Sequence, residues 1–300
     1  MRLRFLTFAI VMLAALFTSA TVSAQTYLST ATTTLVPSQL IASGGMQVSL
    51  EVILFYIFYL GTIWSFNVIM LSGEAKMAPQ RAVFARHLCR ANIFLAAGDT
   101  AMFLAFLIAY LFPGAFNTPQ GGQKLMQLLL FGVFSTSLTM SIYYLYIGLY
   151  LRAKFRGPIT TAIFTIIVAF FILRILAHYN PENVWFSMML PPGTPNYSAW
   201  LRNVPLFIYG LLAVIAVGWF SWRGAQNPQF ENPKIGRSIV WAMLCLIVSF
   251  ICYAIDVFYS HKIPHSLIWI IYTLKTLAYM GAFFFMWLGE FYYGAKAERS

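Results

Sequence analysis

Charge is scarce in this chain. Only 9% of its 300 residues are Asp, Glu, Lys or Arg, against about 25% in a soluble globular domain. So small a charged complement excludes a soluble enzyme, a nucleic-acid binder and a disordered chain. Cysteine is sparse as well: Cys89, Cys245 and Cys252 form no CxxC pair, which excludes a disulfide-stapled scaffold. No stretch shows the ten-residue alternation of a membrane β-barrel, and no internal repeat is visible. Apolar side chains fill the chain instead, with 60% hydrophobic residues, 18% aromatic residues and a mean hydropathy of +0.75. That is the composition of a polytopic membrane protein.

Residues 1–24 have the form of a secretory signal peptide. Arg2 and Arg4 precede a short apolar core from Phe5 to Phe17, and Val22-Ser23-Ala24 supplies small residues before Gln25. Residues 25–47, rich in Ser and Thr and free of charge, read as a polar extracytoplasmic tail. Residues 48–293 hold seven apolar runs, at Leu50–Leu71, Ala91–Phe112, Leu125–Leu151, Ile159–Ala177, Val204–Trp222, Ile239–Phe258 and Leu267–Phe291. A helix rises 1.5 Å per residue, so each run spans about 30 Å of hydrocarbon. A backbone surrounded by lipid must satisfy its own hydrogen bonds, so the runs predict an all-α bundle of seven transmembrane helices. Residues 294–300 remain as a cytoplasmic tail, and no proline is expected mid-span.

The basic residues set the orientation. Lys76, Arg81, Arg86, Arg90, Arg152, Lys154, Arg156, Arg223, Lys234, Arg237, Lys296 and Arg299 fall on one side of the seven runs; only Lys124, Arg174, Arg202 and Lys262 fall on the other. The positive-inside rule makes the first set cytoplasmic, with the N-terminus outside, the C-terminus inside and the plasma membrane as location. A signal peptide independently demands an outside N-terminus.

Polar residues within an apolar bundle are the candidates for function. Asp99 and Lys275 lie about 12 Å from opposite membrane boundaries, so a lysine side chain can bridge the remaining gap; charges at such depth mark functional positions by default. A lysine in the seventh helix resembles that of rhodopsins, but the third run carries no counterion, and neither a DRY nor an NPxxY motif is present. The chain is assigned to neither rhodopsins nor rhodopsin-like receptors. Asn67, Asn92 and the Ser135, Thr139, Tyr143 series read as interhelical packing groups. Arg174, four residues from His178, is expected to snorkel to the headgroups.

The connection from His178 to Asn203 is the one long loop. Pro181, Pro191, Pro192 and Pro195 forbid a long helix there, while Trp185, Phe186, Met188, Met189 and Trp200 make it a candidate lid or partner-docking segment. On the same side, His178, Asp256, His261 and His265 form a candidate metal set, with HxxxH spacing interrupted by Pro264. His87 and Cys89 read as solvated residues of a basic loop.

Three functional expectations follow. The first is a non-enzymatic protein that binds a small apolar ligand or serves as a membrane subunit of a larger assembly, its partners being the bilayer, that ligand or other subunits, with no nucleic acid and no identified cofactor. The second is a sensor or transporter using the Asp99/Lys275 pair. The third is an outward-facing, metal-dependent membrane hydrolase. The topology itself is testable in sealed cells: cysteine placed at Ser29 is expected to react with an impermeant thiol reagent, and cysteine placed at Ser300 to stay protected, with protection at Ser29 overturning the assignment.

Overall fold

The computed structural model of the chain describes residues 50–116, 119–179, 197–227, 232–259, 263 and 265–297. Seven helices in it are long and apolar enough to cross a membrane. They are α1 (Leu50–Glu74), α2 (Pro79–Leu111), α3 (Pro119–Lys154), α4 (Pro158–His178), α5 (Tyr197–Gln226), α6 (Pro233–Tyr259) and α7 (His265–Met286). A single 3-10 turn, Pro113–Phe116, follows α2, and α7 continues as a π-helical stretch, Trp287–Tyr293, and a last turn, Gly294–Ala297. No strand occurs among the described residues. The signal and tail (1–24 and 25–47), and Trp185, Phe186, Met188, Met189 and His261, lie outside the described residues.

Prolines open α2, α4 and α6, where the ring's fixed φ suits the first turn and the missing N–H costs nothing. At α6 the Asn232 side chain adds a cap, accepting from the Lys234 N–H at 3.0 Å. Pro205 differs: α5 begins at Tyr197, ahead of the apolar run, so this proline sits inside a helix. The expectation that no proline interrupts a span is corrected on this point. Helix α2 likewise begins well before its apolar run, which moves His87 and Cys89 from a solvated loop onto α2, with Cys89 buried against the core.

Consecutive helices are neighbours, α1 closes the ring against α7, and α3 packs on α2, α4 and α5. The distribution of polarity is inverted relative to a water-soluble fold. Phe131 is 62% exposed and Trp241 56%, whereas Asn67, Asn92, Ser141, Ser249 and Glu290 are fully buried. A surface of this kind matches a lipid solvent, and the polar groups gather where other helices can satisfy them. The chain is a multi-pass membrane protein, with seven candidate spanning helices among the described residues.

Helix α6 meets α5 so closely at Gly236 that an added Cβ would lie 2.5 Å from the Ser221 carbonyl oxygen and 2.8 Å from the Ala225 Cβ. Gly236→Ala is therefore expected to lower stability by about 1–3 kcal/mol, the usual overpacking cost. Gly61 has open space around it, so Gly61→Ala is expected to gain up to about 1 kcal/mol from helix propensity. Unfolding in detergent, followed by tryptophan fluorescence, checks the contrast; equal stability of the two variants would refute the close contact.

Candidate functional site

The interior polar groups form two clusters, one toward each end of the bundle. The first joins α1, α2, α6 and α7. Asp99 on α2 accepts a hydrogen bond from the Tyr59 hydroxyl at 2.6 Å. Lys275 on α7 lies 4.0 Å from the Tyr272 ring centroid and 5.6 Å from that of Tyr253, a cation held over aromatic faces. Its charge acts on two carboxylates, Asp99 on α2 and Asp256 on α6. The two residues expected to pair are thus brought into electrostatic range, but Tyr59, and not Lys275, makes the direct contact with Asp99. Lys275 closes an ion pair with neither carboxylate.

This cluster continues toward α3, α4 and α5. Tyr253 donates to Asn203 Oδ1 at 2.8 Å. Arg174, expected at the headgroups, is instead fully buried. Its Nε donates to Ser141 Oγ at 3.3 Å, its Nη2 to Ser137 Oγ at 2.7 Å, and its Nη1 to the Arg202 carbonyl. His178 shares this face, as its four-residue spacing allows. Its Nδ1 donates to the Arg174 carbonyl at 2.7 Å and its Nε2 lies 2.8 Å from Ser137 Oγ. Snorkelling fails as an account because α3 offers Ser137 and Ser141, one turn apart, directly opposite Arg174. A guanidinium inside the bundle finds hydroxyls there that lipid does not supply.

The second cluster centres on Glu290, the middle of the π-helical stretch and fully buried. Its Oε1 accepts from Lys154 Nζ at 2.5 Å and from the Tyr150 hydroxyl at 2.5 Å, and its Oε2 from Arg81 Nη2 at 2.9 Å. Helices α2 and α3 thereby converge on one carboxylate of the extension of α7. The π geometry is visible in the bond from the Gly294 N–H to the Gly289 carbonyl, five residues back. Such widened turns concentrate at functional sites. A depression of about 390 Å³ adjoins this cluster, lined by residues 154–160 and Phe220.

Sequence reasoning missed Glu290 because it stands one residue from the end of the seventh apolar run and looks like a boundary residue. The available signal was on α3, where Tyr150 and Lys154 are four residues apart and so present a tyrosine and a cation on one face. Of the metal candidates, His261 and the side chain of His265 lie outside the described residues; among the described residues no three His, Cys, Asp or Glu gather, and His178 is engaged with Ser137 and Arg174. Trp200 sits near the start of α5 with its ring 5.5 Å from that of Phe258. Asn67 and Asn92 join α1 to α2, the Asn67 side-chain amide donating to the Asn92 carbonyl at 3.4 Å.

No family model, curated protein or solved structure matches the chain.

Removing the acceptor from a buried pair leaves charges uncompensated, at about 3–5 kcal/mol. Glu290→Gln, which strands Lys154 and Arg81, is expected to lose that much. Glu74→Gln breaks the outlying Arg86–Glu74 contact of 2.6 Å, where the arginine is 46% exposed, and is expected to lose about 1 kcal/mol or less. Denaturant or thermal unfolding in detergent measures both; comparable losses would contradict the ranking.

Proposed function

We propose that the protein is a proton-responsive transporter or sensor of the plasma membrane, with its N-terminus outside and its C-terminus inside. The observation that carries this reading is the interior set of charges itself: Asp99 accepts from Tyr59 at 2.6 Å, Lys275 lies over the Tyr272 ring at 4.0 Å, and Lys275 closes an ion pair with neither Asp99 nor Asp256. A cation shared by two carboxylates is a bistable element. Protonating one carboxylate removes its attraction and leaves the lysine to the other, so a proton changes which of α2 and α6 is tied to α7. The tyrosines around the three charges supply hydroxyls that can accept and donate in turn. Intramembrane carboxylates with such relays mark ion and proton pathways. The charged interior of the seam favours an ionic role over the binding of a small apolar ligand. The positive-inside bias supports the orientation.

The test is the infrared pH-difference spectrum of the purified protein, which reports carboxylic-acid C=O stretches. A band that vanishes in Asp99→Asn, and shifts in Lys275→Met, is the expected result. A double-mutant cycle on Asp99→Asn and Lys275→Met is expected to show a coupling of about 0.5–3 kcal/mol. Additive stability effects together with an unchanged spectrum would overturn the proposal.

A further inference from the structure

The depression of about 390 Å³ lies at the corner where α3 ends and α4 begins, with Phe220 of α5 on its wall. That volume falls within the range of about 300–1,000 Å³ usual for small-molecule sites. Its lining divides by chemistry. Lys154 and Arg156 supply positive charge, Phe155, Pro158, Ile159 and Phe220 supply apolar surface, and no Asp or Glu takes part among the described residues.

Positive charge at this corner is in surplus. Lys154 and Arg81 share the single carboxylate of Glu290, so that cluster keeps one positive charge in excess. Arg156 adds a second: it is exposed, and among the described residues it forms no hydrogen bond or ion pair. Arg152 lies 5.3 Å from the centroid of the Phe164 ring on α4. No side chain caps α4, where Gly157 is the N-cap, and the positive end of the helix dipole reinforces the same field.

Placement decides which anion fits. The apolar run of α4 begins at Ile159, which is 65% exposed, and Arg156 stands three residues before it. The depression therefore straddles the level where hydrocarbon gives way to headgroups. Beyond it, Ile159, Ile166 and Leu173 are all exposed and seven residues apart, which puts them on one face of α4. A free phosphate would meet only the cations, whereas a phospholipid matches the cations with its headgroup and the apolar stripe with its chains.

We propose that this depression is a binding site for the phosphate headgroup of an anionic phospholipid. Arg156 is its main contact, Lys154 deepens the positive potential, and the acyl chains lie along the stripe on α4. Basic pockets between transmembrane helices recognise anionic headgroups in this way. The site involves none of Asp99, Asp256 and Lys275 and does not depend on their response to protons.

The experiment uses the full-length protein in dodecyl maltoside, with thermal unfolding followed by tryptophan fluorescence. Dioleoylphosphatidylglycerol, which is anionic, and dioleoylphosphatidylcholine, which is zwitterionic, are added at equal mole fractions. The anionic lipid is expected to raise the midpoint saturably above the zwitterionic one, because a ligand that binds only the folded state stabilises it. Inorganic phosphate without lipid is expected to give the same midpoint as chloride of equal ionic strength. Arg156→Gln is expected to raise the half-saturating fraction of anionic lipid about fivefold, the worth of one basic residue near an anionic surface. Gly157→Glu is expected to raise it at least as much by setting a carboxylate at the rim. An added Cβ at Gly157 meets nothing within 4 Å, and the φ of 169° there is extended, so this variant keeps the fold. Lys76→Gln removes the same charge from the connection between α1 and α2, outside the depression, and is expected to move the half-saturating fraction less than about twofold. Equal midpoints in the two lipids would overturn the proposal, as would the full shift from inorganic phosphate alone, or equal weakening by Lys76→Gln and Arg156→Gln.

Discussion

A carboxylate cannot remain ionised inside an apolar bundle unless cations come to it. Glu290 imposes that requirement on two other helices at once. It draws Lys154 from the end of α3 and Arg81 from the start of α2, and Tyr150 completes its coordination. The ring of helices closes between α1 and α7, and Glu290 lies on the extension of α7 beside that closure. Most of the other helix contacts, such as the close approach at Gly236, are made between neighbours in sequence. This one fixes how the final helix meets the beginning and middle of the chain.

The polar seam at the other end obeys a different rule. Its charges are dispersed among aromatics and hydroxyls and not matched into tight pairs. Lys275 over Tyr272 and Arg174 among serines are both solvated by dipoles, an arrangement weaker than a closed ion pair and easier to rearrange. The bundle therefore has a tight end and a labile end, and conformational change is cheaper at the labile one.

Much of this architecture could be read from composition and periodicity. Runs of about twenty apolar residues permit little besides helices in lipid, so the number and order of α1–α7 were legible. Helix ends were less so, because amphipathic first turns such as Arg81 to Arg90 carry charges that look like loop sequence. Asp99 and Lys275 stood out because each interrupts a long apolar run. Glu290 and Arg174 did not, since a charge near a run's end has two outcomes, outward to the headgroups or inward to a partner. The choice is made by what the neighbouring helix offers. Ser137 and Ser141 decide it for Arg174, and Lys154 with Arg81 decide it for Glu290; those are tertiary facts that no local window contains.

The contact between Arg81 and Glu290 joins residues 209 apart in sequence. During synthesis the first of these enters the membrane region long before the second exists, so Arg81 and Lys154 wait without their shared carboxylate until α1 to α6 have been made. Arrival of the final helix gives both their shared carboxylate at once. A product lacking the end of the last helix would keep Arg81 and Lys154 in its interior without the carboxylate they share.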